Sequence, residues 1–103
     1  KEVVISRPSI YSGNVAYFKY GENNSTDLYV NKEKIGTNII NYEISKDQSS
    51  CIFMSDYKDS THEAVLNIYK KGKVKKIDER VISLTQLENG NILYKKYKTY
   101  CSP

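Results

Sequence analysis

Apolar residues in this chain fall in short runs, each closed by glycine, asparagine or a cluster of charged residues. Three runs are variants of one pattern: "NVAYFKY" at 14–20, "CIFMSDY" at 51–57 and "NILYKKY" at 91–97. No stretch keeps the 3.6-residue period of an amphipathic helix, and β-branched and aromatic residues fill the runs, so the pattern predicts strands. They are expected near 14–20, 27–31, 33–36 and 39–45, and again near 51–57, 63–70, 73–77 and 81–87. Hairpin punctuation stands between them: "GENNST" after Tyr20, "KKGK" around Gly72 and "ENGN" before Ile92. Asn89 followed by Gly90 predicts a tight primed turn, whose two central residues both need positive φ.

The recurrence extends beyond the strand. Shifted by 77 residues, "VISRPSIYSGNVAYFKY" at 4–20 lies ungapped on "VISLTQLENGNILYKKY" at 81–97, with eight of seventeen positions identical. With the middle copy at Cys51, the copies begin at Asn14, Cys51 and Asn91, spaced by 37 and 40 residues. That spacing approaches the roughly 40–50 residues of a four-stranded propeller blade. "KIGTNIINYEI" from Lys34 lies on "KIDERVISLTQ" from Lys76, and "DLYVNKEK" from Asp27 is echoed by "VLNIYKKGK" from Val65. Aligning the copies pairs Val15 with Ile52 and Ile92, Ala16 with Phe53 and Leu93, and Tyr17 with Met54 and Tyr94. Successive strand side chains point to opposite faces, so three consecutive apolar columns predict strands covered on both sides.

The expectation is an all-β chain of short antiparallel strands in about two and a half propeller-blade-like repeats, with units at 4–41, 42–82 and a partial 83–100 in one domain spanning 1–103. A compact β-sandwich or barrel of eight to ten strands is the alternative. Propellers close with four to eight blades, so two and a half leave apolar faces and edges open. The expected remedies are membership of a longer propeller, or self-association into a dimer or ring.

The "KI" and "VI" pairs, "DLYV" and the "NILYKKY" strand resemble the bacterial β-propeller repeats of the TolB and low-density-lipoprotein-receptor-like families, over 4–97. The Tyr-Trp-Thr-Asp signature of one of those families is absent. The resemblance implies an extracellular or cell-surface setting, with lipid anchoring in Gram-positive bacteria. It also implies a noncatalytic interaction module with a protein or glycan partner.

Composition sharpens the partner. Sixteen Lys and Arg against twelve Asp and Glu give a net charge of +4, which suits a polyanion, although lysines spread along strands also serve simply as a solvated surface. The candidate polyanion-binding residues are Lys70, Lys71, Lys73, Lys75, Lys76 and Arg80, with Lys95, Lys96 and Lys98. Nucleic acid is the less favoured polyanion. No apolar run approaches the roughly 20 residues of a membrane span, and "KEVVISRPS" lacks a signal-peptide layout.

Ten tyrosines beside lysines offer a stacking surface, but Tyr20, Tyr57 and Tyr97 share a repeat column, which favours a structural role. His62 is the single histidine, with Asp56, Asp59 and Glu63 nearby in ordinary turn composition. No phosphate loop, nucleophile elbow or paired-histidine helix is present, so the chain is read as noncatalytic, with no cofactor and no metal. An enzyme would need His62 with a carboxylate. Cys51 opens one copy of the repeated strand and Cys101 follows another, so blade geometry would hold them too far apart for a disulfide.

Overall fold

A computed structural model describes residues 7–96 and the backbone of 99–101. It is all-β and antiparallel throughout. Strands β1 (Ser9–Tyr11), β2 (Asn14–Tyr20), β3 (Thr26–Val30) and β4 (Glu33–Gly36) form a four-stranded sheet in chain order. Strands β5 (Asn41–Ile44), β6 (Ser50–Lys58), β7 (Glu63–Lys70), β8 (Lys73–Gln86), β9 (Ile92–Lys96) and β10 (Thr99–Cys101) form a six-stranded sheet, also in chain order, which curls into a half-barrel. Among the described residues the only helical turn is a 3₁₀ turn at Glu22–Asn24.

Turn chemistry sets the register. Ser12 and Gly13, Asn31 and Lys32, and Lys71 and Gly72 all have positive φ, and each pair joins strands paired at Tyr11 with Asn14, Val30 with Glu33 and Lys70 with Lys73. These are the two-residue primed turns that match strand twist. The turn at Asn89 and Gly90 departs from expectation: Gly90 alone has positive φ, and Leu87 donates to the Asn91 carbonyl across a three-residue loop. The reason lies in Asn89, whose side-chain oxygen accepts the Asn91 amide 3.0 Å away, the side-chain turn that competes with a primed one.

The strands expected at 73–77 and 81–87 are a single strand. β8 runs for 14 residues, its first part pairing with β7 and its second with β9, and register shifts mark both ladders. Arg80 takes φ +61° at the change of partner. The irregularity bends the strand, as bulges do, and the chain beyond Arg80 continues the same sheet.

β6 is buried from Ser50 to Ser55 and separates two cores. Cys51 and Phe53 face the four-stranded sheet and pack with Ala16, Leu28, Val30 and Tyr11; Ile52 and Met54 face the half-barrel interior with Leu66, Val81, Leu84 and Tyr94. Both faces of β6 are covered as expected, whereas β2 has only Ala16 fully buried and β9 only Tyr94. Direction also corrects the alignment of the middle copy. Ile92 and Tyr94 point back toward β6 to β8, but the β6 residues that point back toward the earlier sheet are Cys51 and Phe53, not Ile52 and Met54. The copy at Cys51 is therefore out of step by one residue, a slip that consecutive apolar positions permit.

Candidate ligand-binding cleft

Reading across β6, β7 and β8, directly opposed residues form rows on the concave face of the half-barrel: Met54, Leu66 and Asp78; then Ile52, Ile68 and Lys75; then Ser50, Lys70 and Lys73. The face changes from apolar to cationic toward the β7–β8 turn. β9 and the loop before it form the opposite wall with Asn89, Gly90, Asn91, Ile92 and Tyr94, and the β5–β6 turn supplies Ser45, Lys46, Asp47 and Ser49. The open cleft measures about 830 Å³.

One side chain ties its lip. The Gln86 amide accepts the Lys46 N–H at 2.8 Å and donates to the Ile44 carbonyl at 2.8 Å, standing in for a peptide group between the ends of β5 and β8. The Lys46 ammonium donates to the Glu88 carbonyl. Asp47 accepts from the Ser45 and Ser49 hydroxyls, each at 2.7 Å, and from the Ser49 amide at 3.0 Å. These hydrogen bonds, that of Ser45 first, pull its pKa down to about 2, and Lys70 adds to the effect.

On the floor, Tyr94 donates its hydroxyl to Asp78 Oδ2 at 2.8 Å and Lys96 pairs with Asp78 Oδ1 at 3.0 Å. Both hold the Asp78 carboxyl below its ordinary range, the tyrosine hydrogen bond foremost. The Asp78 charge is thus spent on Lys96. Lys76 pairs with Glu79 at 2.8 Å, but among the described residues no ion pair engages Lys70, Lys73 or Lys75. Lys70 and Lys73 are directly opposed, a like-charge pairing that costs stability unless an anion sits between them.

The structure divides the nine basic candidates. Lys70, Lys75 and Lys76 line the cleft, Lys73 adjoins it, and Lys71 sits in the turn. Arg80 faces elsewhere, 3.5 Å from Glu63, in a crevice of about 70 Å³. Lys96 is engaged by Asp78, Lys95 alternates to the other face of β9, and Lys98 lies outside the described residues. Sequence reasoning missed Lys46, Gln86 and the apolar wall of Ile68, Ile77 and Ile92; the one available signal was that Ile68 and Ile77 stand on either side of the lysines at 70–76.

Elsewhere, Tyr17 stacks on Tyr29 on the outer face of the four-stranded sheet, centroids 5.7 Å apart, with the Lys19 ammonium 4.7 Å from the Tyr29 ring centre. Tyr11 is buried and its pKa is pushed up to about 12, chiefly by burial. His62 Nδ1 shares a 2.8 Å hydrogen bond with the Tyr57 hydroxyl rather than a carboxylate. No group of three His, Cys, Asp or Glu among the described residues is placed to hold a metal ion. Cys51 is a free, buried thiol whose pKa burial raises to about 12; the side chain of Cys101 lies outside the described residues. Among the described residues no helix is long and apolar enough to cross a membrane. Comparison with protein-family models, curated proteins and solved structures finds no match to this chain.

Proposed function

We propose that this chain is a noncatalytic binding module that holds an anionic partner at the cationic lip of the half-barrel cleft. The observation that carries it is the placement of Lys70, Lys73 and Lys75 on one sheet face, in no ion pair among the described residues, beside a cleft of about 830 Å³. Of the readings left open by the sequence, a protein or glycan partner and a polyanion, the lysine lip favours an acidic partner. An extracellular or surface-anchored setting is supported by the propeller-type resemblance, which also supports assembly of this module with further β units or with its own copies.

The test is titration of a sulfated oligosaccharide at several salt concentrations. Binding is expected to weaken steadily with salt as counterions are released. Lys70→Glu with Lys75→Glu is expected to cost about tenfold or more in affinity, whereas Lys32→Glu on the four-stranded sheet leaves it unchanged. Equal losses in both variants would reduce the attraction to net charge alone and refute the site.

A further inference from the structure

The lysines are only half of the cleft. Ile68, Ile77 and Ile92 reach it from three different strands, and each is half-buried, packed on the inner core yet open on the side that faces the lysine lip. Lys75 lies directly across from Ile68, and Lys70 is two residues further along the same face, so charge and apolar surface meet within one cross-strand step. Lys46 and Lys76 direct their ammonium groups to the Glu88 carbonyl and to Glu79; among the described residues Lys70 and Lys75 are the cleft-lining lysines in no ion pair, although Lys70 lies within electrostatic reach of the Asp47 carboxylate, itself tied up by Ser45 and Ser49.

We propose that the occupant is an amphipathic anion, a carboxylate head on a single unbranched aliphatic chain, with the head at Lys70 and Lys75 and the chain along Ile68, Ile77 and Ile92. The assignment rests on the anion-binding role proposed above and deepens it. A wholly polar polyanion would lie over the isoleucines without gain, and a wholly apolar ligand would strip water from two ammonium groups without replacing it. The cleft volume of about 830 Å³ falls within the roughly 300–1,000 Å³ of small-ligand sites.

Isothermal titration of the full chain with octanoate, decanoate and dodecanoate, each below its micelle concentration, decides the matter. One-to-one binding is expected, tightening about three- to fourfold per added methylene, the ratio that burial of one CH₂ supplies. Decanol and acetate are expected to bind far more weakly than decanoate. Lys70→Glu with Lys75→Glu is expected to weaken decanoate about tenfold or more, and Ile77→Ser to flatten the dependence on chain length. The chain-length series on the unaltered protein decides even where Ile77→Ser fails to fold. Absence of decanoate binding, affinity independent of chain length, or decanol binding as tightly as decanoate would overturn the assignment. If the sulfated oligosaccharide still depends on Lys70 and Lys75 in that event, the anion-binding role stands without it; if neither probe responds to those lysines, both fall.

Discussion

Cys51 shows how much the packing around one residue changes its chemistry. The thiol is closed between the two sheets, and burial raises its pKa from 9.0 to about 12, so at pH 8 the native protein holds far fewer thiolates than the unfolded chain. In a Cys101→Ser background, a thiol-specific reagent is expected to label Cys51 slowly in buffer and rapidly in urea; fast native labelling would contradict the packing of β6. A raised folded pKa leaves its stabilisation intact below the unfolded value of 9.0 and erodes it as pH climbs toward 12. Asp78 works in the opposite sense. Its carboxyl is held below the ordinary 3.8 by Tyr94 and then Lys96, so its contribution is present above that pH and is lost as acid protonates the folded form. Asp78→Asn is expected to cost about 1–3 kcal/mol near neutrality in urea titrations, and to flatten the acid limb of stability against pH.

Among the elements, β8 carries the most consequence, because its change of partner at Arg80 turns a flat meander into a half-barrel. Gln86 then holds the curl shut at β5 through two hydrogen bonds. Gln86→Ala is expected to cost about 1–2 kcal/mol and to speed hydrogen exchange at the Lys46 amide, measurable by denaturant titration and amide exchange. Strand positions and the hairpin around Gly72 were legible in the sequence because alternation, β-branched residues and glycine act locally. The merging of 73–77 with 81–87 was not, since nothing local distinguishes a bend from a break. The one-residue slip of the middle copy escaped because Cys51, Ile52, Phe53 and Met54 are all apolar, and only the presence of packed neighbours on both sides tells which points where. For the site, the lysines on 70–76 were legible as charge. Their relation to Ile92, Lys46 and Gln86 was not, because it exists only once β9 and the β5–β6 turn fold over β7 and β8.

At the scale of the whole molecule, the two cores share β6, which couples the four-stranded sheet to the half-barrel. The charge excess of +4 is a property of the entire surface, whereas at the cleft Lys70 and Lys75 stand beside the isoleucine wall. The decisive measurement is a two-dimensional amide NMR titration of the chain with decanoate. Saturable shifts confined to 45–50, 68–77 and 89–94, with Tyr17, Lys19 and Tyr29 on the opposite sheet unmoved, are the predicted result. Shifts centred on the outer face of β2 and β3, or scattered over all lysines alike, would contradict a binding site in the cleft.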